Sequence, residues 1–276
     1  MQSASENPIG VFDSGVGGLT ILRAVRQALP SENLVYVADA AHVPYGEKSA
    51  DQIRERALAI GNFLLGQGAK VIVVACNTAT AAAIDVLRAR LSVALVGVEP
   101  AVKPAVAATR SGVVGVLATP ATLASERYRS LIDRFAAGIR IVAQPCAGLA
   151  ERIEHGDLDD EHMEVLLRGF VEPLLSAKAD VIVLGCTHYP LVSHIVQRIA
   201  GPGVGVIENG TAVAKEVARQ LALRGSARTS GTGSEVFWSS GPIDRMAPLL
   251  SDLWAPDTRL QALPEIQRGR DLNVTS

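Results

Sequence analysis

Three cysteines stand in the 276-residue sequence, at positions 76, 146 and 186, and two of them share their surroundings. Val71-Ile-Val-Val-Ala-Cys76-Asn-Thr and Val181-Ile-Val-Leu-Gly-Cys186-Thr-His each read as a buried strand that stops at a thiol and runs into polar residues. A helix start at Cys76, before Asn77 and Thr78, offers backbone N–H groups and positive potential, which predicts a thiol pKa lowered from about 8.5. Cys186, followed by Thr187 and His188, has a comparable setting. A lone free cysteine is more often a packing residue, and Cys146, which has no such context, is read that way. Two matched thiols suit a definite chemistry. An α-proton beside a carboxylate is a very weak acid, so a base must be positioned and the carbanion stabilised. Inverting such a centre without a cofactor needs one group on each face, a thiolate to remove the proton and a thiol to deliver one.

Other residues fit around this pair, each with a plainer reading beside it. Asp13-Ser14-Gly15-Val16-Gly17-Gly18 closes the first strand and opens a helix, where glycines let N–H groups approach a carboxylate or phosphate. Gly15-x-Gly17, with Asp39 ending the next strand, loosely imitates a dinucleotide-binding unit, but Thr20 occupies the last glycine position of that fingerprint. A glycine turn with no ligand is also open. Asp13 either caps its helix or lies near Cys76 and a substrate ammonium. His188, two residues after Cys186, is placed to share a proton, although a core histidine is the commoner fate. Glu154, in Arg152-Ile-Glu154-His-Gly, is by spacing alone an ordinary helix-end carboxylate. Asp157, Asp159, Asp160 and Glu161 form an acidic run that reads as solvated surface.

The elements that must position these groups follow from periodicity. Strands are predicted at Ile9–Phe12, Leu34–Val37, Val71–Ala75, Leu95–Val98, Val113–Leu117, Ile139–Ala143, Val181–Leu184, Gly205–Ile207 and Glu235–Trp238, with helices such as Leu19–Leu29, Ala50–Gln67 and His162–Ala177 between them. Hydrophobic residues make up 48% and aromatics 4%, a mixture that suits parallel strands covered by helices. Cys186 follows Cys76 by 110 positions, and Thr119 follows Asp13 by 106 in a fainter echo, as a duplicated unit would give. The expected fold is therefore α/β: two pseudo-symmetric lobes with mostly parallel sheets and an inter-lobe active-site cleft at the strand carboxyl ends. The lobes are read as residues 1–98 plus 208–256 and residues 99–207, followed by a polar tail, 257–276.

Lys and Arg number 26 against 28 Asp and Glu, so no positive excess recruits nucleic acid or anionic lipid, and a small ligand is expected. Met1 to Pro8 lacks the features of a signal peptide, and no apolar run is long enough to span a membrane. An odd number of cysteines without a CxxC pair argues against a disulfide framework or a zinc site and favours a reducing cytoplasm. No lysine context suggests a Schiff base, and no His/Asp cluster suggests a metal.

Asp13-Ser-Gly-Val-Gly-Gly18, Pro44-Tyr-Gly46, Cys76-Asn-Thr-Ala-Thr80 and Gly185-Cys-Thr-His-Tyr-Pro190, together and in order, resemble the bacterial glutamate racemases of the aspartate/glutamate racemase family. The resemblance runs from about Ile9 to Leu253. It implies cofactor-independent interconversion of L- and D-glutamate, the latter destined for peptidoglycan, by an enzyme that commonly forms homodimers. Cys76 matches the base acting on D-glutamate and Cys186 the base acting on L-glutamate. Asp13 and His188 match the groups assisting them, and Glu154 an acid near His188. Ser14, Tyr45, Gly46, Asn77, Thr78 and Thr187 match substrate contacts, and Thr119 and Thr122 contacts to the side-chain carboxylate. Asp39 falls in a family motif without a defined role. The rival enzyme is a two-cysteine racemase of aspartate or a related acid. A non-catalytic amino-acid-binding protein would need neither thiol.

Overall fold

Runs of Val, Ile and Leu form the strands, and the amphipathic stretches between them form helices, in close alternation. The computed structural model describes residues 5–156 and 158–265. The chain begins β1 (Ile9–Asp13), α1 (Leu19–Ala28), β2 (Leu34–Ala38), α2 (Ala50–Gly66), β3 (Val71–Val74), α3 (Asn77–Arg90) and β4 (Ala94–Gly97). It continues through α4 (Val102–Ala108), β5 (Val113–Ala118), α5 (Pro120–Ala124), α6 (Glu126–Phe135), β6 (Arg140–Pro145), α7 (Leu149–Glu154), α8 (Glu161–Ser176), β7 (Val181–Leu184), α9 (Ser193–Ala200) and β8 (Gly205–Ile207). It closes with α10 (Gly210–Leu223), β9 (Glu235–Ser239), α11 (Ile243–Leu253) and β10 (Leu260–Ala262).

Every strand pairing is parallel, and the strands form two sheets, ordered β10-β9-β2-β1-β3-β4 and β6-β5-β7-β8. Within the first sheet the first four strands run 2-1-3-4, and the second sheet repeats that order with β5 to β8. In each sheet the direction of winding reverses beside its first strand, between β1 and β3 and between β5 and β7. Open α/β sheets bind ligands at the strand carboxyl ends at such a reversal. Phe12 lies opposite Val74, and Leu117 opposite Leu184, so Cys76 and Cys186 sit two residues past equivalent points. The same register matches Thr119 to Ser14, one residue from the Asp13 match that the sequence echo suggests. Apolar strand runs resemble one another at neighbouring offsets, so their likeness does not fix register.

Helices cover both faces of each sheet. Leu19, Leu22 and Val25 of α1 and Val213, Val217 and Leu221 of α10 bury one face of the first sheet. Ile53, Ile60 and Leu64 of α2 and Ala83, Ile84 and Leu87 of α3 bury the other. In the second sheet α8 and α9 supply Leu167, Val171, Leu174, Ile195 and Val196 to one face, and α4 and α6 supply Ala105 and Tyr128 to the other. The stretch read as a polar tail begins with structure, because Leu260–Ala262 pairs with β9 as an edge strand. Residues 266–276 of that tail, and Asp157 of the acidic run, lie outside the described residues. Among the described residues no helix is long and apolar enough to cross a membrane.

Candidate active site

The carboxyl ends of the two sheets meet around one cavity with about 600 Å³ of empty space, its mouth included. Ser14, Tyr45, Gly46, Cys76, Asn77 and Thr78 line it from the first sheet's side, and Thr119, Cys186 and His188 from the second. The remaining sequence candidates stand one step behind this wall. Glu154 bonds His188 and Thr122 bonds Thr78 and Thr119 on that wall, while Asp13 and Thr187 are chain neighbours of Ser14, Cys186 and His188.

Cys76 caps α3, its Sγ accepting the Ala79 N–H at 3.4 Å, and it approaches the Ser14 hydroxyl at 3.9 Å. The helix start was expected to lower this thiol, and the structure corrects that expectation. Burial and the neighbouring Asp13 carboxylate push the Cys76 thiol well above its ordinary range, and the hydrogen bonds with Ala79 and Ser14 do not offset them. Cys186 differs in setting from Cys76. Pro190, which lacks an N–H, sits in a short 3₁₀ turn at Tyr189–Val192, so the α-helix begins only at Ser193. In place of a helix N–H, Cys186 Sγ meets His188 Nδ1 at 3.7 Å. His188 is buried, and burial works against its charge. The contacts with Cys186 and Glu154 outweigh that and hold the imidazole well above its usual pKa.

The glycine loop has a different use from the one its sequence suggests. Two of its N–H groups go to carboxylates of the protein: Gly18 donates to Asp13 Oδ2 at 2.7 Å, and Val16 to Glu154 Oε1 at 2.6 Å. Glu154 Oε1 also lies 2.5 Å from His188 Nε2, so one carboxylate oxygen joins the loop of the first lobe to the histidine of the second. The glycines make room for this. A Cβ at Gly15 would lie 1.8 Å from Glu154 Oε1, and one at Gly17 would lie 2.4 Å from His188 Nδ1. Thr20 adds a further link by donating to the Thr187 carbonyl at 3.1 Å. Asp13 is fully buried, and burial raises its carboxyl, against the pull of His188. The Thr187 hydroxyl stands 3.5 Å from both of its oxygens.

On the opposite side of the cavity three hydroxyls form a triangle across the lobes. Thr78 lies 3.0 Å from Thr119 and 3.3 Å from Thr122, and Thr119 lies 2.9 Å from Thr122. Thr119 also caps α5, accepting the Thr122 N–H at 3.2 Å. Asn77 is buried on the cavity wall, and neither Oδ1 nor Nδ2 has a hydrogen-bond partner among the described residues. An unpaired buried amide costs free energy on the order of 1–3 kcal/mol unless a ligand or water satisfies it. Sequence reasoning missed one wall, the segment from Cys146 to Glu151. Its legible signal was Gly148, which takes φ of +74° to turn from the end of β6 into α7. Cys146 keeps its packing role, with burial pushing the thiol up to about 12, but it too borders the cavity.

Comparisons with known proteins place the sequence and the fold. A glutamate racemase from Methylococcus capsulatus is 50% identical over 263 residues, 95% of this chain and 97% of the relative. The structure of a glutamate racemase isoform from Bacillus anthracis superposes with a TM-score of 0.87 at 27% identity, covering 94% of this chain and 98% of that one. The Escherichia coli glutamate racemase, solved with L-glutamate and the activator UDP-MurNAc-ala, gives a TM-score of 0.82 at 31% identity, with 93% and 98% covered. The sequence profile of Asp/Glu/Hydantoin racemases matches residues 18–217. With two parallel sheets closing on paired thiols and most of the chain matched, this protein belongs to the Asp/Glu/Hydantoin racemase family.

Proposed function

We propose that the chain interconverts L- and D-glutamate without a cofactor, with Cys76 and Cys186 as the two bases. The observation that carries this reading is the placement of one thiol from each sheet, at equivalent positions, on the wall of a single cavity. A planar carbanion between them can lose a proton to one sulfur and gain one from the other, which inverts the centre. Cys76 takes the proton of D-glutamate and Cys186 that of L-glutamate. With the Cys76 thiol held protonated by burial and Asp13, an ammonium group placed against Asp13 offsets that carboxylate's charge and eases ionisation of the sulfur. His188, steadied by Glu154, serves Cys186 in the same way by exchanging a proton across the 3.7 Å contact.

The unpaired Asn77 amide, with Ser14, Thr78 and Thr187, receives the α-carboxylate and stabilises the charge that spreads onto it in the transition state. Tyr45, Gly46, Thr119 and Thr122 belong to the part of the site that takes the side-chain carboxylate. The assignment of glutamate draws on the relatives named above, all glutamate racemases. The product is proposed to supply peptidoglycan in the cytoplasm from a homodimer, a reading that rests on the family resemblance and on three free thiols.

The test is to incubate the protein with L-glutamate alone in D2O and follow optical rotation and α-deuteration. The expected result is loss of rotation, with early deuterium in the product and much less in the remaining substrate, because the donating thiol has exchanged with solvent. Substrate labelled as fast as product would mean a single exchanging base. Turnover of aspartate but not glutamate would move the substrate to the rival branch.

A further inference from the structure

Asp39 takes no part in the proton transfers, yet it is fully buried at the end of β2 and gathers contacts from four directions. The Tyr45 hydroxyl donates to its Oδ2 at 2.6 Å. Arg56 of α2 forks onto it, Nε to Oδ2 at 3.0 Å and Nη2 to Oδ1 at 2.7 Å. His42 Nδ1 lies 3.0 Å from Oδ1, and the Asp39 N–H donates to the Asp13 carbonyl at 2.9 Å. Burying a carboxylate with a guanidinium is costly, and a well-packed apolar pair would serve folding as well. What the ion pair supplies is a fixed direction, because a forked guanidinium sets the plane of the carboxylate it grips.

That direction is passed to the wall of the cavity. The Tyr45 hydroxyl is committed to Asp39, so the turn presents its backbone and the tyrosine ring to the ligand, with no hydroxyl left for substrate. The turn faces Thr119 of the other lobe closely enough that a Cβ at Gly46 would lie 3.5 Å from the Thr119 Cβ. Arg56 and the Tyr45 phenol, which burial and the Asp39 charge hold protonated well above its ordinary range, act together here. Burial works against the Asp39 charge, but the Arg56 and Tyr45 hydrogen bonds outweigh it and keep the carboxyl below its usual range.

Building on the glutamate reading, we propose that Asp39 and Arg56 are positioning residues that lock the Pro44–Tyr45–Gly46 turn at a set spacing from Thr119, and so fix the room for the substrate's distal carboxylate. They touch neither the reacting carbon nor the thiols, so their effect falls on recognition.

The test compares wild type with Arg56→Gln, Arg56→Lys and Tyr45→Phe. It measures kcat and KM on whichever acidic amino acid the wild type racemises, together with melting temperature. A loosened turn is expected to raise KM about 10-fold or more in Arg56→Gln and Tyr45→Phe, the loss typical of one charged hydrogen bond, with kcat held within about 3-fold. Arg56→Lys should recover part of the KM, because an ammonium keeps the charge but not the fork. Unchanged KM with a lowered melting temperature would overturn the proposal in favour of a purely structural ion pair. A loss confined to kcat would overturn it in favour of a role in proton transfer. Should Arg56→Gln fail to fold, Tyr45→Phe decides alone, since it removes one oxygen and keeps the ring. Turnover of aspartate instead of glutamate by the wild type leaves this comparison intact and refutes only the substrate, while no turnover of any acidic amino acid refutes both.

Discussion

Cys76 and Cys186 present two solutions to one problem at the scale of single residues. In the proposed mechanism each thiol loses a proton in one direction of reaction and gives one in the other, yet Cys76 is governed by burial and Asp13 whereas Cys186 contacts an imidazole. Replacement of either by serine should abolish racemisation in both directions, because a hydroxyl is too weak an acid to stand in near neutral pH. Cys146→Ser should leave turnover within about 2-fold, since its thiol is raised by burial and bonds the Gln144 carbonyl and Tyr189. Near-wild-type turnover by Cys76→Ser would refute the two-base mechanism. Gly17 matters by what it lacks. Its Cβ would press 2.4 Å from His188 Nδ1, and displacing a catalytic group by about 1 Å can cost on the order of 100-fold. Gly17→Ala should lower kcat/KM about 10- to 100-fold and equally for both enantiomers, whose equilibrium constant no variant can change. The circular dichroism spectrum should stay that of the wild type. Unaltered kinetics would show that this contact does not set the imidazole.

Elements hold these residues through their ends. A strand carboxyl end followed by a helix or a tight turn places Asp13, Cys76, Thr119 and Cys186 at one level, and the buried β-branched runs behind them are stiff enough to keep that level. The opposite ends of the second sheet are tied by a different device. Asp180, just before β7, accepts from the Thr109 hydroxyl at 2.5 Å, the Arg110 and Ser111 N–H groups at 2.7 and 2.9 Å, and the Ser111 hydroxyl at 3.0 Å. Burial pushes this carboxyl up, but those four donors outweigh it and bring it down to about 2. A carboxyl lowered on folding stabilises the fold above its unfolded pKa, about 3.9, and that contribution fades as pH falls through its folded value, about 2. Asp180→Asn should therefore melt earlier than wild type near pH 6, and the gap should close between pH ~4 and pH ~2. A gap that persisted unchanged into acid would mean that the loop is held by packing and not by the ionised carboxylate.

Across the whole molecule, several inter-lobe hydrogen bonds stand around the cavity: the Val16 N–H to Glu154, Thr20 to the Thr187 carbonyl, and Thr78 with Thr119 and Thr122. The triangle also separates two roles that one segment could confuse. Thr119 both lines the cavity and caps α5, whereas Thr122 offers its N–H to that cap and its hydroxyl to the triangle. Thr122→Val keeps the cap and removes only the hydroxyl. The Michaelis constant for glutamate should rise about 5- to 10-fold while the melting temperature moves little, consistent with the loss of about one hydrogen bond. A large melting loss with an unchanged Michaelis constant would place Thr122 in stability alone.

The pattern of Val, Ile and Leu runs already determined the α/β class, nine of the strands and both thiols at strand ends, because hydrophobic period and glycine or polar stops are local properties of the chain. The short strand Leu260–Ala262 escaped that reading, since an edge strand of three residues carries too little period to stand out from a polar tail. Motif resemblance named Glu154, but its sequence spacing reads as a solvated helix end. Its actual partners, Val16 and His188, lie 138 and 34 positions away and meet it only in the folded chain. The upward push on the Cys76 thiol was hidden for the same reason. A helix start is visible in sequence, whereas the burial and the Asp13 charge that overrule it are sums over neighbours brought from distant parts of the chain. Residue types and local order fixed which groups could do chemistry; tertiary structure decided which of them touch, because contact and desolvation depend on what folding brings near.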